Sequence, residues 1–383
     1  MPETFDRILI IKLRYIGDVL LATPVLRNLR LHYPRARLAM VVNGGTEAIL
    51  RHNRCVDEIL ALDREELKSW NPTARLMAPL RYLRWVRARR FHCVVDLTDA
   101  DRSALLATGS GAPVRVGFNA ENRWRGRLYT HLARAGSPRQ HNADYQLEAL
   151  RVLGLEVRSR EPELPLAPEE DAAAGGWLAR QGGVEDGAPF LAFHPGARWW
   201  FKQWPAERCA ALADRLQTED GTPVVFLGGT REAEFLAAVR ASMRTWFRGG
   251  AGGLELLEMA AVLGRARAFL GNDNGPMHIA ATLRTPVVAL FGPSDPAEWG
   301  PWGEGHVVLY KGLDCRECWR RGTCWRGEAN CLRQISVDEA VAAVRRVWTR
   351  KKERGNRGPS SGGDLPFSNS GGSSVPDALP SFM

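Results

Sequence analysis

The sequence has no stretch approaching the roughly 18 consecutive apolar residues that a membrane-spanning helix needs. Its start, Met1 to Asp6 followed by the short apolar run Ile8–Ile11, lacks the apolar core of a secretory signal. A cytoplasmic protein is expected. Cysteine is sparse: there are seven, an odd number, and without an export signal a full disulfide framework is not expected. Zinc-finger spacings and RNP-type strands are missing as well, so nothing but charge speaks for nucleic acid, and no nucleic-acid partner is expected. That charge is a net +9 with a pI near 9.5. It asks for an anionic partner, and a phosphorylated glycan or an acidic membrane surface would serve.

What is present is ordinary for a globular protein: 45% hydrophobic and 25% charged residues in 383. The length suits two domains of roughly 150–200 residues. Short β-branched runs at Arg7–Lys12, Leu38–Asn43, His92–Leu97 and Arg115–Phe118 read as buried parallel strands separated by helical stretches, the first helix running from about Val19 to Tyr33. Between Glu161 and Gly187 the chain turns rich in Pro, Gly, Ala and acid, and the pattern then restarts with strands at Pro189–His194, Pro223–Leu227, Ala268–Gly271 and Pro286–Phe291. The expected class is α/β, with a first Rossmann-like domain over residues 1–165 and a second over 166–352. The Gly, Ser and Pro-rich stretch 355–383 reads as a disordered tail.

Three polar clusters fall where strands end and helices begin, the places where open α/β sheets bind ligands. The first is Lys12-Leu-Arg-Tyr-Ile-Gly17-Asp18, whose only acid, Asp18, is either a catalytic carboxylate or a helix cap. The second, His194 to Pro205, sets glycine, Arg198 and Lys202 ahead of a helix start, a credible pyrophosphate cradle. The third, Gly271-Asn-Asp273-Asn274-Gly275-Pro276-Met-His278, offers free N–H groups at another helix start, with Pro276 suited to the first turn. Asp99-Ala-Asp101 has the spacing of a metal-binding pair but lies in the first half, where an ordinary strand-end turn explains it better. Arg81, Arg84 and Arg87, with Pro79 placed in a first helical turn, form a basic and partly apolar helix that fits either a membrane surface and phosphorylated acceptor or plain solvent.

The stretch Lys12–Pro24 and the two loops His194–Pro205 and Asn272–His278 resemble those of the bacterial lipopolysaccharide heptosyltransferases, glycosyltransferase family nine, over about residues 7–350. The resemblance implies a GT-B fold, two Rossmann-like domains facing across a cleft. It also implies transfer of heptose from ADP-heptose to the lipopolysaccharide inner core, with inversion, no metal and no cofactor, at the inner membrane. By position, Asp18 matches the family's catalytic base, Lys202 its phosphate-binding lysine and Asp273 its sugar-contacting aspartate. Asn274, Gly275 and His278 are neighbouring donor-site positions, and Glu232 and Glu234 are both eligible as the ribose ligand. Asn274 and Pro276–Met277 depart from the residues of some members.

The group Cys315, Cys318, Cys324 and Cys331 has a counterpart in many members. It reads as structural, with zinc binding, disulfides and free thiols all open. The start motif and this group look most like the branch-adding type III subset. Competing readings are a GT-B transferase with another nucleotide sugar and a sugar-nucleotide-binding protein without turnover.

Overall fold

The computed structural model describes residues 4–63, 65–66, 72–137, 139–313, 315, 318, 322–327 and 330–354; the expected tail at 355–383 lies outside them. In the first half β1 (Arg7–Lys12) leads through α1 (Ile16–Leu20) and α2 (Thr23–His32) to β2 (Arg37–Asn43). Then come β3 (Glu58–Leu62), α3 (Pro72–Ala88), β4 (Cys93–Asp96), α4 (Asp101–Gly109), β5 (Val114–Phe118), β6 (His131–Ala133) and α5 (Asn142–Val152). All strands are parallel, in the order β3-β2-β1-β4-β5-β6.

The alternation along β1 explains its place at the centre. Ile8 and Ile10 enter one apolar core and Leu9 and Ile11 another, all without solvent exposure. Each such side chain stabilises the fold by about 1.5–3 kcal/mol through burial. A strand buried on both faces is what helices on both sides of a parallel sheet demand.

After Val152 the chain runs extended along α2, where Asn28 accepts from the backbone N–H of Arg158 at 2.6 Å. It enters the second half at α6 (Pro168–Trp177). There follow β7 (Leu191–His194), α7 (Ala206–Asp220), β8 (Val224–Gly228), α8 (Ala233–Ser242), β9 (Arg248–Ala251), α9 (Leu256–Arg265), β10 (Ala268–Asn272), α10 (Gly275–Thr282), β11 (Val287–Phe291), α11 (Pro296–Trp299), β12 (Val307–Tyr310) and α12 (Val337–Arg354). This sheet is ordered β12-β11-β10-β7-β8-β9, the first half's order repeated. Ile8 and Ile10 share one continuous apolar cluster with Ala192 and Val225, so the inner faces of the two halves are joined.

Two expectations about helices need correction. The helix expected from Val19 is two helices, and Asp18 lies inside the first rather than in the loop before it. Pro24 sits in the first turn of α2; a continuous helix would drive its ring into the carbonyl of Leu20. Pro79 lies in the interior of α3, not in its first turn, because the helix starts seven residues earlier with Pro72. Pro72 takes the first-turn place that needs no donor.

Candidate active site

In both sheets the strand order reverses beside the first strand, between β1 and β4 and between β7 and β10. Crevices form where successive connections leave in opposite directions. The two crevices face each other and merge into one cleft of about 1990 Å³ lined by both halves. All three polar clusters line it.

On the first wall, Asp18 occupies the third position of α1, and its Oδ2 accepts from the backbone N–H of Tyr15 at 3.3 Å. It thus reaches back to the helix start without being the N-cap itself. Behind it Lys12 is 3% exposed; its Nζ donates to the Leu97 carbonyl at 2.9 Å and stands 3.9 Å from Asp18 Oδ1. Burial pulls this ammonium's pKa down to about 8 against the opposing pull of Asp18. One shell deeper the buried Asp96 accepts from the Tyr129 hydroxyl at 2.6 Å, and burial raises its pKa. Lys12 carries a readable signal, a charged residue closing an apolar strand, but had no role assigned from sequence.

On the second wall, a short helical turn Trp200–Lys202 aims Lys202 at Asp273, and the two form an ion pair. The same Asp273 oxygen accepts from the Ser294 hydroxyl, a partner the sequence did not announce. Asn274 is the N-cap of α10: its Oδ1 accepts from the backbone N–H of Met277 at 3.1 Å, and its Nδ2 donates to the Gly196 carbonyl at 2.8 Å. Its side chain is thus engaged in building the loop, and Pro276 stands in the first turn as expected. Glu232 lines the cleft, packed so closely on Gly196 that a Cβ there would come within 2.4 Å of its Cγ. Glu234 is exposed on α8 and takes no part in the lining. Of the two glutamates, Glu232 alone lines the cleft.

His278 joins the walls. Its ring packs on the backbone of Gly17, where a Cβ would lie 2.7 Å from its Cδ2, and Gly275 packs on Ile16 in the same contact. Burial lowers its pKa to about 4, against the opposing pull of Asp273; Asp18 and Lys202 act on it as well. A neutral imidazole therefore stands among the three charged groups at neutral pH. Its Nδ1 is buried without a hydrogen-bond partner.

Residues 80–327 match the sequence model of glycosyltransferase family 9 (heptosyltransferase). The chain belongs to that family. It is 28% identical over 345 residues to lipopolysaccharide heptosyltransferase 3 of Escherichia coli, covering 87% of this chain and 96% of that one. It is 26% identical over 311 residues to lipopolysaccharide heptosyltransferase 2 of Escherichia coli strain K12, covering 76% and 84%. The family 9 glycosyl transferase from Veillonella parvula DSM 2008 superposes with a TM-score of 0.77 at 25% identity, covering 91% of this chain and 99% of that one. Escherichia coli heptosyltransferase WaaC, solved with ADP, superposes at 0.69 with 20% identity, covering 89% and 99%. The two facing parallel sheets are the GT-B fold, and this family 9 chain is an enzyme of the heptosyltransferase type.

Other residues marked in the sequence lie apart from this family 9 cleft or serve structure. Asp99 and Asp101 both clasp the guanidinium of Arg125, at 2.9 and 3.1 Å, and Arg125 is 2% exposed. Arg81 pairs with Glu66, and Arg84 and Arg87 are exposed on α3; none of the three lines the cleft. Met77 and Leu80 stand exposed on the same helix. Cys318 and Cys324 pack with Phe201 beneath the turn that carries Lys202, and Cys315 Sγ accepts from Arg326 Nε at 3.1 Å. No disulfide joins the four cysteines of the group, and burial, then Cys324, pushes the Cys318 thiol up to about 11. Among the described residues no three His, Cys, Asp or Glu side chains converge to hold a metal ion, and no helix is long and apolar enough to cross a membrane.

Proposed function

We propose that this enzyme transfers heptose from ADP-heptose to a sugar of the lipopolysaccharide inner core, inverting the anomeric carbon without a metal ion. The observation that carries this reading is the meeting of Asp18 from one half with the Lys202–Asp273 pair from the other around His278. An acceptor hydroxyl is a weak nucleophile at neutral pH. Asp18 takes its proton as the oxygen bonds to the anomeric carbon from the face opposite the nucleotide, and the bond from that carbon to the diphosphate oxygen breaks. ADP leaves with the bonding pair. Lys202 and the positive end of the α10 dipole stabilise the charge gathering on the diphosphate. Glu232 accepts from the ribose hydroxyls and Asp273 from the sugar.

The choice of donor is supported by the ADP held in the WaaC structure, and the branch-adding subtype by the likeness to heptosyltransferase 3. Arg84 and Arg87 with Met77 and Leu80 make α3 the face that meets the acidic inner leaflet of the inner membrane from the cytoplasm. The test is incubation with ADP-heptose and inner-core acceptor in EDTA, following ADP release and the product's anomeric configuration by NMR. Retention of configuration, or activity lost in EDTA and restored by magnesium, overturns it.

A further inference from the structure

Arg198 lies on the cleft between aromatic rings from both halves. Its guanidinium carbon is 4.7 Å from the centre of the Tyr15 ring and 5.5 Å from that of Trp199. Trp199 in turn stacks on the buried Phe201, at 5.8 Å between ring centres and 14° between planes. The two rings flank the guanidinium, and its N–H groups can meet a ligand in the cleft. Among the described residues no carboxylate pairs with it. Lys202, the other cation of this loop and the proposed diphosphate ligand, pairs instead with Asp273.

Position decides what Arg198 can hold. Tyr15 opens the short helix that carries Asp18, and its backbone N–H is bonded to the Asp18 carboxylate. A hydroxyl that surrenders its proton to Asp18 must sit within hydrogen-bond reach of it. The sequence set Arg198 with Lys202 in one pyrophosphate cradle, but their contacts in the fold differ: Arg198 lies over Tyr15 of the first half, beside the acceptor's place, whereas Lys202 pairs with Asp273 of the second, where the diphosphate is proposed. The planar fork of Arg198 suits two oxygens of one oxyacid group, and the flanking rings offer a flat apolar surface for a sugar's C–H face.

We propose that Arg198, clamped between Tyr15 and Trp199, is a subsite for an anionic substituent, phosphate or carboxylate, on the acceptor sugar. This rests on the transferase reading for the name of the acceptor, but the subsite is open to a test that needs no turnover. With ADP at saturation, so that the donor phosphate positions are filled, binding of mannose 6-phosphate, glucuronate and mannose is followed by ligand-observed NMR. The expected result is that at least one of the two anionic sugars binds wild type about tenfold more tightly than mannose, as a charge-assisted fork requires. The stronger of the two tells phosphate from carboxylate. Arg198→Gln should erase the preference, Arg198→Lys should restore only part of it, and ADP affinity should change by no more than about twofold, since no donor contact is removed.

Absence of any preference in wild type, its persistence in Arg198→Gln, or a matching loss of ADP affinity each overturns the assignment, the last by giving Arg198 to the donor. Transfer from ADP-heptose is assayed on the same preparations. A wild type that selects anionic sugars through Arg198 yet transfers nothing overturns the transferase reading and leaves the subsite standing. One that transfers heptose while Arg198→Gln keeps the preference overturns the subsite alone.

Discussion

The ammonium of Lys12 and the carboxylate of Asp18 face each other at 3.9 Å across the end of β1, with Lys12 wholly inside the protein and Asp18 at the cleft. Asp18 is thereby held at both oxygens, one by this charge and the other by the Tyr15 N–H. The charged groups acting on Lys12 besides Asp18 are Arg14, which lowers its pKa, and Asp96 and Asp99, which raise it.

Since Lys12 loses its proton near pH 8, it is cationic below that value and neutral above it. The carboxylate loses its counter-charge as pH rises through 8, so kcat should fall along an alkaline limb centred there. Arg in place of Lys12 does not titrate in this range. Lys12→Arg should therefore keep its rate past pH 9, and Lys12→Met should be slow throughout. A pH–rate profile from 6 to 10 on the three proteins checks this, and an alkaline limb unmoved in Lys12→Arg would assign it elsewhere.

Asp18→Asn keeps the size and can still accept from Tyr15, but it takes no proton. Turnover should drop roughly 100- to 10,000-fold, with ADP affinity unchanged. If Asp18 serves only the helix start, the Asn variant stays active and Asp18→Ala costs about 1 kcal/mol of stability. Steady-state rates and melting curves on both variants separate the two roles.

Lys202→Ala removes the one cation of its loop that points at Asp273 and leaves that carboxylate facing the diphosphate unneutralised. Affinity for ADP should weaken roughly 10- to 100-fold. Calorimetry with ADP measures it, and an unchanged affinity would show that the diphosphate lies elsewhere.

At Gly17 the missing side chain is what admits His278. Gly17→Ala sets a methyl 2.7 Å from Cδ2 of that ring, and such overpacking should cost about 1–3 kcal/mol while prising the two walls apart. A lower melting temperature and a lower kcat are expected. Adding His278→Ala should recover the stability but not the rate, and a Gly17→Ala protein that melts and works like wild type would remove this contact from the account.

The eight strands legible in the sequence are the eight interior ones, whose residues are covered on both faces and so form apolar runs. The four that went unread, Glu58–Leu62, His131–Ala133, Arg248–Ala251 and Val307–Tyr310, are the four sheet edges. An edge strand has one neighbour and weaker cover, and Arg-Gly-Gly-Ala at β9 carries no strand signal at all. In the site, Asp18, Lys202, Asp273 and His278 were legible because each belongs to a strand-end motif. Ser294 and the Arg125 clasp on Asp99 and Asp101 were not, since their partners come from distant loops that only the fold brings near. The same holds for Glu232 against Glu234, which differ in orientation rather than in spacing.

The repetition of one strand order in both halves has a consequence for how reactivity is owned. Each half carries a complete crevice of its own, yet the proposed proton acceptor, Asp18, belongs to one and the proposed phosphate ligand, Lys202, to the other. Neither crevice alone brings nucleophile and leaving group into line. Competence is a property of the register between halves, so a ligand that seats firmly in one crevice exerts its effect on the chemistry by fixing where the opposite wall comes to rest.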